Sequence, residues 1–336
     1  MTTYYGLYGQ KVQYLASDPT DVQIGQVWYN STSAVLKVRA VTTSGTWASG
    51  GNLNTARSGL GGAGTQTAGL AFAGQTPAPS RSASSESYNG SSWTNTPSIN
   101  TARSSVAGMG TQTAALCVTG NNDPGGNAST NATESWNGSA WTTVPATVNT
   151  ARNGSAGIGI STAALIFGGY TPGNGNWAAT ESYNGTSWTS VNSLNTQRRS
   201  LGGAGIQTAG LGFGGYADPA ATAATESWNG TSWTNVASLN QARTIAGLGI
   251  QTAALGFGGN NPAIPTNFTG ATELWNGTSW TTNPNSMTTA RNGLSGAGTQ
   301  TAGLGFGGYA PGTGSSAATE EFTGPGVGQT KTVTVS

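Results

Sequence analysis

The chain has 336 residues, enough for one large core or two ordinary domains, with a net charge of +1 and only 7% charged residues against about 25% in typical soluble domains. That balance excludes the field that draws a protein to nucleic acid or to an anionic membrane. With no histidine and a single cysteine, Cys117, an internal disulfide, the common zinc sites and His-dependent triads are excluded too.

The 54 glycines and the many Thr, Ser and Asn residues would suit disorder, but 11 Trp and 10 Tyr argue for a folded, all-β chain. Taken from the start, residues 1–33 lack a basic segment followed by an apolar one, so no Sec-type signal peptide is expected. They read as an N-terminal arm, an attachment segment outside the main domain. No run of 18 apolar residues exists, so no transmembrane helix or membrane insertion is expected. The main domain is placed at 34–336. Its first strand candidate is AVLKVRAV at 34–41, and a tryptophan follows at Trp47.

From Trp47 onward the chain repeats. An arginine recurs at Arg57, Arg103, Arg152, Arg198, Arg243 and Arg291, at intervals of 46, 49, 46, 45 and 48 residues. A glutamate recurs at Glu86, Glu134, Glu181, Glu226, Glu273 and Glu320, and a tryptophan at Trp47, Trp93, Trp141, Trp188, Trp233 and Trp280. Each unit reads as four short strands: a Gly-rich strand such as SLGGAGI at 200–206, a tight turn, TAGLGFGG at 208–215, then a variable loop and the hairpin ATESWNGTSWTNV. No stretch has helical periodicity. Asn229-Gly230 between alternating strands predicts a two-residue type I′ turn. Trp228 then faces Thr231, and Glu226 faces Trp233. Glu226, Trp228, Thr231 and Trp233 share one face, and Ser227, Ser232 and Thr234 the other. The bulky face of one unit is expected to pack on the small face of the next. Four-stranded units stacked radially at this period make a β-propeller, with the Gly-rich strand at the crowded centre.

The six units span about 55–97, 101–145, 150–192, 196–237, 241–284 and 289–324. The last unit has Glu320 and Phe322 but then TGPGVG in place of NGTSW, so its outer strand is missing. Trp47 stands 10 residues before Arg57, as Trp233 does before Arg243. It therefore marks an outer strand with no unit before it. Residues 44–50 are expected to complete the last blade and close a six-bladed ring. Residues 34–41, 318–322 and 331–335 compete as further strands of that closing blade.

Paired glycines ending the second strand, such as Gly168-Gly169 and Gly214-Gly215, followed by an aromatic and a later Trp, resemble kelch repeats. The form ATESWNGTSW…LNTAR…GAGTQTAxLxFGGY is similar to kelch-like proteins of marine bacteriophage genomes, over roughly residues 44–324. Residues 24–47 resemble short β-hairpin segments of phage tail and fibre proteins. What the resemblance implies is a virion structural or host-recognition protein on the particle surface, in tail or capsid, with residues 1–33 docked on other virion proteins. A host glycan or protein is the implied external partner, and capsid decoration or a purely structural scaffold is the alternative.

The six Glu and six Arg read as one structural ion pair per blade, because a buried carboxylate beside an indole needs a partner. The Asn-Gly-Thr/Ser runs are also glycosylation sequons, but their place in hairpins explains them. The GxG runs lack a following helix, which speaks against a nucleotide loop. Cys117 aligns with Ile166 and reads as a small buried hydrophobe. The loops after the second strand vary between units and are expected on one face of the ring, with the LNTAR connections. They carry the candidate binding residues Asn121, Asp123, Tyr170, Trp177, Tyr216, Asn260, Phe268 and Tyr309, a mixture of aromatic platforms and amides suited to a neutral glycan or a protein groove. An enzyme is not expected. Glycosidases generally need two nearby carboxylates, and the acids outside the repeated position are scattered. Copper oxidases need histidines. No cofactor or metal is expected.

Overall fold

The structure, a computed structural model, describes residues 12–333 apart from 24, 42–43, 78–79, 124, 126–127, 264–266 and 327. Residues 1–11 of the arm and 334–335 of the last strand candidate lie outside them. Among the described residues every regular element but isolated bridges is a strand. The chain divides into two units, residues 46–323 and residues 1–45 with 324–336.

Residues 46–323 form a β-propeller of six four-stranded antiparallel blades. Blade four shows the plan. Gly202–Ile206 is innermost, followed outward by Ala209–Phe213, Thr225–Trp228 and Trp233–Val236. The other blades span 61–96, 107–144, 156–191 and 246–283, and the sixth consists of Ser295–Thr299, Ala302–Phe306 and Thr319–Thr323 closed by Thr46–Ser49. Phe322 pairs with Trp47, so the N-terminal strand does supply the missing outer strand. Innermost strands of successive blades lie side by side, and Ser295–Thr299 lies against Gly61–Gly64, closing the ring. Glycine makes this approach possible. A Cβ on Gly247 would stand 2.8 Å from the Gly203 nitrogen of the preceding blade, closer than Cβ atoms tolerate.

The outer hairpin differs from the expected type I′ turn. Trp228 pairs with Trp233 and Glu226 with Asn235, leaving a four-residue loop. Only Gly230 within it takes positive φ, whereas a type I′ turn needs two such residues. The Asn229 side chain decides this. Its Oδ1 accepts from the Thr231 amide at 2.9 Å, the Ser232 amide at 2.8 Å and the Thr231 hydroxyl at 2.8 Å, so it closes the loop as an Asx turn. Every pair moves by two residues, which keeps each side chain on its face. Glu226, Trp228 and Trp233 therefore still share one side.

That side packs on the preceding blade, not the following one. Trp233 packs against Phe167 at 4.8 Å between centroids, with the rings tilted by 58°, and its indole N–H donates to the Thr180 hydroxyl at 3.0 Å. The receiving face is small only in its outer strands, because its second strand contributes Leu165 and Phe167 to the shared core. Trp47, Trp93, Trp188 and Trp280 make the same bond to Thr272, Thr319, Thr133 and Thr225. A glutamine from the inner turn adds a clasp. The Gln251 amide donates to the Trp228 carbonyl of blade four at 2.6 Å, and Gln66, Gln112, Gln207 and Gln300 bond their preceding blades likewise. Blade three has Ser161 at that position. The closing seam has a further bond of its own, from the Tyr88 hydroxyl to Glu321 at 2.6 Å.

In the second unit, Val27–Asn30 lies parallel to Gln13–Leu15 and antiparallel to Val35–Val41, which pairs on its other edge with Gly328–Thr332. Residues 34–45 and 324–333, assigned from sequence to the propeller, therefore belong with the N-terminal segment. Of the three candidates for the closing blade, only Thr319–Thr323 enters it. The physical reason is Glu320, which pairs with Arg291; residues 34–41 offer no carboxylate. Asp18 ties this sheet together. It accepts from Lys37 at 2.7 Å, from Asn30 at 2.7 Å and from the indole of buried Trp28 at 3.1 Å.

Trp141 has Ser85 where the other tryptophans have a threonine, and both the Trp141 indole nitrogen and the Ser85 hydroxyl are buried without a partner. Ser85→Thr should restore the bond and raise stability by about 1 kcal/mol in a denaturant melt; a neutral or destabilising change contradicts the seam geometry. Lys37 first, then Asn30 and Trp28, lower the Asp18 pKa to about 2. A carboxylate depressed in the fold contributes stability that is present above its ordinary value near 4 and lost as pH falls through 2. The Trp28 indole N–H resonance should titrate with a midpoint near pH 2, and a midpoint near 4 would show that Asp18 is not held this way.

Candidate functional site

Each blade is organised around one buried ion pair. Arg57–Glu86, Arg103–Glu134, Arg152–Glu181, Arg198–Glu226, Arg243–Glu273 and Arg291–Glu320 all lie within 3.1 Å, and each arginine side chain is 0% exposed. Burial pulls the Arg243 guanidinium below the ordinary arginine pKa, and Glu273 opposes that shift. The second oxygen of each glutamate accepts a backbone amide from the connection before the arginine. Glu273 takes Asn240 N–H at 2.7 Å, and Glu226 takes Asn195 N–H at 2.6 Å. The pair therefore fixes where the chain crosses toward the axis. Cys117 is fully buried, and burial raises its thiol pKa to about 11, so it stays protonated and unreactive.

The residues just after the arginines ring the axis. Gly59, Ser105, Gly154, Ser200 and Gly293 all take positive φ, between 53° and 63°. Their backbones bond in sequence around the mouth: Ser105 N–H to Gly59 O, Gly154 to Ser105, Ser200 to Gly154, Ile245 to Ser200, and Gly59 to Gly293. One link is missing among the described residues. Blade five has three residues between Arg243 and Gly247, where blade four has four between Arg198 and Gly203, and it lacks the left-handed residue. No carbonyl of blade five is bonded to the Gly293 N–H.

Inside this ring lies a cavity of about 490 Å³, within the range of small-ligand sites. It is lined mainly by glycine backbone and small side chains, with the polar groups of Ser105, Ser200, Thr244, Asn260, Asn292 and Ser295, and with Tyr216. Arg199 is the single charged residue among its lining residues.

The first residue after each glycine pair, or after Ala73-Gly74 in blade one and Thr119-Gly120 in blade two, lies one step further out, bridged to the residue after the arginine. Gln75 meets Ser58, Asn121 meets Ser104, Tyr170 meets Asn153, Tyr216 meets Arg199 and Tyr309 meets Asn292. Asn260 takes the equivalent place, accepting the Thr244 amide at 3.0 Å. Five of the eight sequence-predicted binding residues, Asn121, Tyr170, Tyr216, Asn260 and Tyr309, thus fall on one ring of equivalent positions. Phe268 joins it by stacking on Tyr309 at 6.0 Å. Trp177 turns to its own loop, where its indole donates to Thr171. Asp123 belongs to a cluster at blades one and two, where Arg81 donates to the Asn121 side chain and the Asp123 carbonyl.

Sequence reasoning missed Arg199. Its guanidinium lies 4.6 Å from the centroids of both Tyr170 and Tyr216, a cation between two aromatic faces. It donates to Asn176 at 2.8 Å and lies 3.6 Å from Asp218. The signal was present: the connection reads TQRRS in blade four, with a second arginine where the other blades have Ser, Asn or Thr.

No family model matches the chain, and no curated protein matches it. Among solved structures it is similar to one titled "Structure of YjhT", with a TM-score of 0.67 and 11% identity, over 80% of this chain and 95% of that one. At that identity the likeness speaks to the fold alone, a β-propeller.

Removing one partner of a buried pair leaves an uncompensated charge. Arg243→Ala should lower stability by about 3–5 kcal/mol by urea titration. An unchanged midpoint would mean that Glu273 needs no partner.

Proposed function

We propose that this chain is a non-enzymatic, kelch-like binding module of a phage particle. Its propeller presents the variable loop face to a host-surface glycan or protein, or to another virion protein, and residues 1–33 attach it to the particle. One observation carries this reading: nearly all the variation between blades is gathered on one face, around an axial cavity, while the scaffold beneath is close to identical from blade to blade. Loops held by a rigid frame are where recognition is placed. The charges support it as well. Twelve of the 23 charged residues are taken by the six buried pairs, so the repeated carboxylates are structural. Asp123 and Asp218 stand on the loops of different blades, which does not supply the matched carboxylate pair of a glycosidase.

The test is composition and adsorption of the particle. Mass spectrometry should find the chain in purified particles, and replacing residues 121–131 and 260–270 by the shorter loop of blade one should reduce host adsorption with little change in melting temperature. Absence from particles sinks the reading, and so does turnover of a polysaccharide by the purified chain.

A further inference from the structure

The sixfold pattern of the mouth is broken at two places, and both breaks expose hydrogen-bond donors. At blade four, Arg199 replaces the neutral residue found in the other blades. Its Nη1 meets Asn176, while Nε and Nη2 have no hydrogen-bond partner among the described residues. Its guanidinium carbon lies over the rings of both Tyr170 and Tyr216, 4.6 Å from each centroid, and these two contacts hold the group in place. Asp218 does not neutralise it fully, because at 3.6 Å and 52% exposed it is a loose, hydrated neighbour. At blade five, the missing residue removes the acceptor that would take the Gly293 N–H. Arg199 and Gly293 line the same cavity, and no carboxylate lines it.

We propose that this cavity binds the oxyanion of an acidic sugar residue, a carboxylate or a sulfate ester, on Arg199, with the sugar hydroxyls meeting Ser200, Thr244, Asn260, Asn292 and Ser295. A planar, pre-oriented guanidinium matches an oxyanion in a two-point fork. The volume suits one or two sugar rings, and hydroxyl and amide groups suit a polyhydroxylated ligand. This rests on the proposed receptor-binding function and narrows it from a neutral glycan or protein groove to an anionic glycan.

The test is calorimetric titration of the full chain with three probes: a galacturonic acid trimer, a sulfated galactose trimer and an uncharged galactose trimer. At least one anionic probe should bind about tenfold more tightly than the uncharged one, with affinity falling as salt is raised. Arg199→Gln should remove that preference, Arg199→Lys should recover only part of it, and Asp218→Asn should strengthen anionic binding a few-fold. Melting temperatures near the parent show that each variant is folded. Equal binding of all three probes, no binding of either anionic probe, or full anionic affinity in folded Arg199→Gln overturns the proposal. The wider reading fails separately. If Arg199→Gln particles adsorb normally while loop replacement abolishes adsorption, the anion site falls and receptor binding stands; if the chain is absent from particles, receptor binding falls whatever the probes show.

Discussion

The propeller depends on one buried arginine–glutamate pair in each blade. Such a pair is costly to bury and stabilises only when its remaining donors and acceptors are filled. Here the glutamate takes the guanidinium on one oxygen and a backbone amide of the approaching connection on the other. In five of the six blades the arginine also reaches carbonyls of its own blade, as Arg57 does to Ala73 at 2.9 Å, while each arginine keeps at least one buried nitrogen without a hydrogen-bond partner. One charge pair thus ties the second and third strands of a blade to the chain that enters it. The constraint also settles the closing blade, whose third strand must carry a glutamate for Arg291, and only the segment containing Glu320 does so.

Between blades the interaction is mostly apolar, with a few directed bonds that set the register. A tryptophan lies on the phenylalanine of the preceding blade and hands its indole N–H to a threonine there. A glutamine stitches the opposite end of the seam. These contacts need glycine on the inner strands, because backbones meet there with no room for a side chain. The seams are not equal. Blade three lacks the glutamine, and the seam between blades one and two lacks the threonine bond. At the axis, blade five is one residue short and opens the ring of backbone bonds. The loop face therefore inherits its asymmetry from small departures in a repeated scaffold.

Much of the candidate site was legible. The positions after the glycine pairs stood out because they vary while their surroundings do not, and five of them form a single ring. Arg199 was hidden by its neighbour Arg198, which belongs to the ion-pair series and made the dipeptide look like one repeated arginine. Trp177 looked like a surface platform but is held by Thr171 within its own loop, since that pairing depends on a local turn and not on the repeat. The Asn-Gly turn was misread because the side chain of Asn229, and not the backbone preference of the dipeptide, closes the loop.

Repetition by itself determined the unit, the number of blades, the strand that closes the ring and the face on which each side chain lies, because a period of about 46 residues and a period of two along each strand leave few alternatives. Tertiary structure alone decided three things: which neighbouring blade receives the tryptophans, that residues 35–41 pair with Gly328–Thr332 and stay out of the closing blade, and that Arg199 sits between Tyr170 and Tyr216. Each depends on contacts between segments far apart in the chain, and no local pattern of residues records which distant surface a side chain will meet.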